Sequence, residues 1–232
     1  MKNKLLGPFE WFIILGTLIC SAIFAWYGWH YKGESIDWLG NIAAMINIFC
    51  VVLSARASRW NFLFGVAYAV LYAYICFVTN HFGNAVVYAA LFFPMNIIGY
   101  FSWKKIGDIG ESGQVAARRM TTHQRIFVTI AGVLVAAGAW LILKKVGGQE
   151  ALTDSMLTVL CVMGQVLLTL AFAEQWFIWI LVNIVAVVMW GTAAIKGTPH
   201  SVAMVIGWFF TLVNSINGYI VWQRLSKPSE TK

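Results

Sequence analysis

Trp176, Trp179 and Asn183 stand at i, i+3 and i+7, the spacing that puts three side chains on one face of a helix. Asn96, Tyr100 and Trp103 follow a similar pattern at i, i+4 and i+7, as do Ser215, Tyr219 and Trp222. Aromatic faces beside amides do binding chemistry rather than acid–base chemistry. An indole face is electronegative, and a desolvated cation over it gains ~2 kcal/mol or more. An amide offers a neutral polar group both a donor and an acceptor. Gln165, Asn183, Asn96 and Asn214 fall at comparable depth in apolar runs and make a layer of such groups. Each amide taken alone has another use, as a hydrogen bond between helices worth about 0.6 kcal/mol. Cys20, Cys50, Cys76 and Cys161 lie singly in apolar runs, and His30, His81, His123 and His200 are scattered at run ends or in loops. With no metal-ligand cluster, carboxylate pair or CxxC spacing, no metal, cofactor or enzymatic function is expected.

The elements that position these residues are dictated by composition. Of the 232 residues 60% are apolar and 11% charged, against about 25% charged in a soluble domain. So little charge cannot cover a water-facing surface, and lipid is the fitting solvent. Eight apolar runs, 9–29, 38–55, 60–79, 84–103, 126–143, 155–173, 176–195 and 202–223, each approach the ~20 residues that cross a bilayer as a helix. Between Trp11 and Trp29, and throughout the later seven runs, there is no Asp, Glu, Lys or Arg. The first run ends in the aromatic cluster Trp26-Tyr27-Gly28-Trp29-His30-Tyr31, an interfacial belt rather than a cleavage site, so it is expected to stay as a helix. The net charge of +7 resides at span edges and in loops, which points to membrane orientation and not to nucleic acid. A cytoplasmic N-terminus leaves Lys32, Lys144, Lys145 and Lys196 outside and the other 12 of the 16 basic residues inside. Both termini are therefore expected in the cytoplasm. The loop 104–125, with Gly107, Gly110, Gly113 and the pair Arg118-Arg119, reads as a cytoplasmic linker carrying an amphipathic surface helix at 115–120. Glu174, between runs six and seven, reads as a solvated loop charge, and Pro94 as a kink in run four.

The chain also repeats itself. Ile97-x-Gly99-Tyr100-x-x-Trp103 returns as Ile216-x-Gly218-Tyr219-x-x-Trp222, Arg59-Trp60 answers Gln175-Trp176, and Glu34 answers Glu150, at offsets of 119, 116 and 116. Runs two to four are thus expected to recur as runs six to eight, with run five between them. Three helices reverse the chain and the fourth restores it, so the two units are parallel repeats about an axis along the membrane normal, a transporter plan with its site between the repeats near the midplane. The organisation expected is an extra transmembrane helix in 1–33, a first three-helix repeat in 34–105, a loop and linker helix in 106–148, a second repeat in 149–224 and a tail in 225–232.

This plan resembles the SWEET-like superfamily. Within it, Trp176-x-x-Trp179-x-x-x-Asn183 and the segment from Asn214 to Trp222 resemble the PnuC nicotinamide riboside transporters. The resemblance covers runs two to eight, and run one resembles the extra N-terminal helix that some members carry. It implies an all-α membrane protein of eight transmembrane helices, an N-terminal helix followed by a 3+1+3 arrangement, in a bacterial inner membrane. It implies uptake of nicotinamide riboside, an NAD precursor, by alternating access, with trapping by phosphorylation inside. The partners implied are the riboside, the lipid bilayer and further copies of the chain, with a trimer as the expected form. On this resemblance Trp179 covers the pyridinium ring and Asn183 pairs with the carboxamide or ribose. Gln165 and Asn96 add hydrogen bonds, and Trp176, Asn214, Tyr100, Tyr219 and Trp60 complete the candidate site. For Trp176 and Trp60 an interfacial belt is the alternative, and Trp103 and Trp222 are expected in that belt. With no Asp, Glu, Lys or Arg in the spans from Trp11 onward, facilitated diffusion is expected rather than ion-coupled transport. The same aromatic and amide groups would also suit thiamine or a neutral sugar, and a membrane receptor or sensor is the alternative of another class.

Overall fold

The structure, a computed structural model, describes residues 6–33, 35–106, 108–109, 114–145 and 151–226. The described residues form eight helices, because in lipid each backbone N–H and C=O must be paired within its own segment. They are α1 (Pro8–Lys32), α2 (Trp38–Ala55), α3 (Asn61–Val78), α4 (Phe82–Ile106), α5 (Thr122–Lys145), α6 (Ala151–Thr169), α7 (Gln175–Ile195) and α8 (Ser201–Leu225). Seven are long and apolar enough to cross a membrane, and α6 carries a shorter apolar stretch, Ser155–Thr169. The Glu34 and Glu150 landmarks, and Gly107, Gly110 and Gly113, lie outside the described residues.

The packing is reciprocal. α2 packs on α3 and α8, while α6 packs on α7 and α4. The turn after α2 and the turn after α6 contain Ala57 and Ala171, both left-handed at φ 54° and 59°. Trp103 near the end of α4 donates its indole N–H to the Leu168 carbonyl at 2.9 Å, and Trp222 near the end of α8 donates to the Ser54 carbonyl at 3.0 Å. Ser54 and Leu168 each lie three residues before the left-handed alanine of their turn. The two bonds therefore cross between the halves in opposite directions. Trp103 and Trp222 are both fully buried, which corrects the expected belt placement: their indole N–H groups have carbonyls to reach inside, so the rings pack inward. Beneath them Trp176 packs on Gly218, where an added Cβ would lie 2.6 Å from the indole, and Phe62 packs on Gly99. Phe62, two residues past Trp60, is thus the residue whose contacts match those of Trp176. Trp60 itself is 43% exposed.

The segment expected as a surface helix is extended. Gln114–Val115 pairs with Asp108–Ile109 as a two-residue ladder. The Val115 N–H bonds to the Ala57 carbonyl at 2.8 Å and the Arg118 N–H to the Ala171 carbonyl at 2.8 Å, with Ala173 N–H returning to the Arg118 carbonyl at 2.9 Å. This strap crosses both left-handed turns, and those turns supply the backbone partners that a helix would have found in itself. Val115 is buried against the tryptophan layer. Glu174 is not a free loop charge: its carboxylate accepts from Arg125 at 2.8 Å and from the Met120 N–H at 3.1 Å, which fastens the strap and the start of α5 to the α6–α7 turn.

α1 and α5 lie outside this arrangement. α1 rests on α2 and α8, anchored by buried Glu10, which pairs with Arg56 at 3.0 Å and accepts from the Gly7 N–H at 2.8 Å. α5 packs on α6, and none of its apolar window is buried. In α4 a π-helical turn, Tyr88–Phe92, precedes Pro94, and Phe93 N–H bonds five residues back to Tyr88. Proline has no N–H and crowds the carbonyl four residues before it, so the turn ahead of it widens.

Candidate substrate cavity

A cavity lies at the centre, walled by α2, α3, α4, α6, α7 and α8, with no residue from α1 or α5. The buried layer of Trp176, Leu168, Trp103 and Trp222 floors it toward the strap. Tyr68, Tyr88 and Trp208 wall the opposite end, backed by Tyr72 and Trp190, whose indole N–H donates to the Tyr72 hydroxyl at 2.7 Å. Beyond Tyr88 and Trp208 a second, smaller cavity opens toward Asn84 and Met189.

Five of the residues singled out in the sequence meet in the cavity: Trp176, Trp179 and Asn183 from α7, Gln165 from α6 and Asn96 from α4. Trp176 is 2% exposed, so the belt alternative does not apply to it. Trp179 packs over Gly164, where an added Cβ would lie 3.0 Å from the ring, and its ring centroid is 6.0 Å from that of Phe92. The other four candidates stand elsewhere, because helical spacing alone cannot say which face meets the neighbouring helices. Asn214 is fully buried but donates to the Val51 carbonyl at 2.8 Å, tying α8 to α2. Tyr219 is 41% exposed. Tyr100 leans on Trp60 at 6.1 Å, and the Arg59 guanidinium sits 5.8 Å above the Trp60 ring.

Beyond the nine candidates the structure adds Asn47, Thr211, Ser215 from the face it shares with Tyr219 and Trp222 in sequence, and the aromatic rings of Tyr68, Tyr88, Phe92 and Trp208. Asn47 had a visible signal, an amide inside an apolar run. The aromatic residues had none, since rings recur in every helix of this chain but α6. The three asparagines share a logic. Asn47 donates its amide N–H to Thr211 at 3.0 Å, Asn183 to Ser215 at 2.6 Å, and Asn96 to the Phe92 carbonyl at 2.8 Å. Each thereby keeps its carbonyl oxygen as spare acceptor capacity. Among the described residues that line it there is no Asp, Glu, Lys, Arg or His. Ring faces and amide oxygens are both electronegative, so the cavity suits a cation that carries its own neutral hydrogen-bonding groups.

A helical membrane protein with an uncharged, aromatic and amide-lined cavity between packed helices defines the class of solute carriers. Comparison with known proteins gives the family. Residues 37–224 match the family model described as nicotinamide mononucleotide transporter, and the chain belongs to that family. It is 33% identical over 228 residues to the nicotinamide riboside transporter PnuC of Haemophilus influenzae, covering 95% of this chain and 92% of that one. It is 31% identical over 194 residues to the nicotinamide riboside transporter PnuC of Neisseria mucosa, covering 82% and 74%. A solved structure described as the vitamin B3 transporter PnuC superposes with a TM-score of 0.81 at 28% identity, over 95% of this chain and 92% of that one. α1 precedes the residues that the family model matches.

Proposed function

We propose that this chain takes up nicotinamide riboside by facilitated diffusion. The observation that carries the reading is the cavity lining: aromatic faces for a pyridinium cation, amides and hydroxyls for a carboxamide and a ribose, and no charge. The family description names the mononucleotide and the relatives' names the riboside. The lining favours the riboside, because a buried phosphate without a cationic partner carries a heavy desolvation cost. Titration calorimetry on the purified protein tests this. The riboside should bind, and the mononucleotide about a hundredfold more weakly or worse. Equal affinities, or tighter binding of thiamine or a sugar, would contradict the reading.

The transport cycle proposed is alternating access, with phosphorylation inside the cell keeping the product there. What supports it is a cavity bounded at both ends by aromatic layers. The two-repeat organisation, α2–α4 and α6–α8 about the linker α5 with all eight helices crossing, draws support from the reciprocal tryptophan bonds and matched turns. Both termini are proposed to face the cytoplasm. Arg56, Arg59, Lys104, Lys105, Arg118, Arg119, Arg125 and Arg224 all belong to the strap end of the bundle, the bias expected of a cytoplasmic face. A trimer is kept as the expected assembly, and native mass spectrometry reads it directly.

A further inference from the structure

Among the described residues five tryptophans are buried: Trp103, Trp176, Trp190, Trp208 and Trp222. Three donate their indole N–H to the protein, Trp103 to Leu168, Trp222 to Ser54 and Trp190 to the Tyr72 hydroxyl. The remaining two, Trp176 and Trp208, have buried N–H groups with no partner. They are also the two that line the central cavity. Gln165, a third lining residue, likewise has a buried side-chain N–H group without a partner. A buried donor left unpaired is costly, so buried indoles ordinarily find an acceptor. Among the buried indoles the exceptions coincide with the cavity, whereas the unpaired side-chain N–H groups of Gln175 and Asn217 lie outside it.

Trp208 has a further distinction. It is 5% exposed and stands, with Tyr88, on the wall between the central cavity and the smaller one toward Asn84. Its ring is fixed edge-on against Tyr72, centroids 5.9 Å apart, and the hydroxyl of Tyr72 is already taken by Trp190. A rigid donor held in place and denied a protein partner is suited to a substrate acceptor.

Resting on the reading of the cavity as the nicotinamide riboside site, we propose that Trp208 is a substrate-binding residue. Its indole N–H donates to an acceptor oxygen of the bound riboside, on the ribose or the carboxamide. Specificity follows: a ligand with the cationic ring but without that oxygen leaves the donor unpaired and binds more weakly.

Trp208→Phe keeps an aromatic ring and removes the N–H. Riboside binding to the full chain in detergent, read by calorimetry, should weaken about tenfold. Analogues lacking one group at a time, the 2′-deoxy and 3′-deoxy ribosides and the pyridinium riboside without its carboxamide, identify the oxygen. For one of them the parent and Trp208→Phe should bind equally. The ligand-free variant should melt within about 3 °C of the parent, because no bond made in the free protein is lost. Trp190→Phe, which loses a made bond, should melt clearly lower. If the parent binds the riboside and Trp208→Phe binds it equally well, the inference fails while the function stands. A penalty identical across all analogues would mean lost packing and would also overturn it, as would a variant that does not fold. If the parent binds no riboside, the functional reading falls and this assignment with it.

Discussion

At the scale of residues, Trp179 and Asn183 sit one helical turn apart on α7 and both line the cavity. Replacing either with alanine should weaken riboside binding about tenfold to a hundredfold. The indole contributes on the order of 2 kcal/mol over a cation, a lost buried hydrogen bond costs roughly 1–3 kcal/mol, and 1.4 kcal/mol is a decade in affinity. Tyr219→Ala, on an exposed side chain outside the cavity, should bind as the parent does, and calorimetry on the three variants side by side checks the contrast. Asn214→Ala should instead lower the melting temperature, since it removes the hydrogen bond that ties α8 to the Val51 carbonyl of α2. The Trp-x-x-Trp-x-x-x-Asn stretch was legible because its spacing and its setting in an apolar run agree. Asn214 and Tyr219 were misplaced for a physical reason. An amide in lipid must find a partner whether or not a substrate is near, and one face of α8 is as aromatic as another. The spare donors of Trp176 and Trp208 depend on which carbonyls lie across a helix interface, and a linear sequence does not hold that information.

At the scale of elements, α4 and α8 end in the same way, each with a tryptophan that reaches across to the carbonyl of a residue near the end of a partner helix. Trp222→Phe keeps the ring but removes its hydrogen bond to the Ser54 carbonyl, which still accepts from the Ala57 N–H; the loss should cost about 1 kcal/mol, seen as a lower midpoint in thermal unfolding. Gly218→Ala places a methyl group 2.6 Å from the Trp176 indole. It should reduce both stability and riboside affinity, since Trp176 packs in the tryptophan layer and lines the cavity at once; unchanged affinity would argue that the floor of the cavity is soft. The helices themselves were read from the sequence to within a few residues, because apolar length is a direct measure of span. Tyr88–Phe92 was marked only indirectly, by Pro94. The extended strap was not legible at all: its backbone bonds go to the turns at Ala57 and Ala171, which lie 58 and 53 residues away from Val115 and Arg118 in sequence. Nothing in the composition of 114–120 separates a strand-like segment from a short amphipathic helix.

At the scale of the whole molecule, six inner helices surround an uncharged cavity, with α1 and α5 outside it. The charge asymmetry predicts the orientation: reporter fusions near Gly110 and at the C-terminus should both read cytoplasmic, and a periplasmic signal at either would invert the topology. The energetics follow from the same lining. Among the described residues the cavity is lined by no Asp, Glu, Lys, Arg or His, the side chains that ordinarily carry a coupled proton, so the substrate gradient alone should drive the flux. Imposing a proton or sodium gradient across otherwise identical vesicles should leave the final riboside level unchanged. The most direct test of the central claim is uptake of labelled nicotinamide riboside into sealed proteoliposomes, with the parent chain and Trp179→Ala reconstituted at equal density. The account predicts saturable entry through the parent that stops when the inner and outer concentrations are equal, and entry through Trp179→Ala that needs about tenfold more substrate to reach half its maximal rate. Entry through the parent no faster than into protein-free vesicles would contradict it.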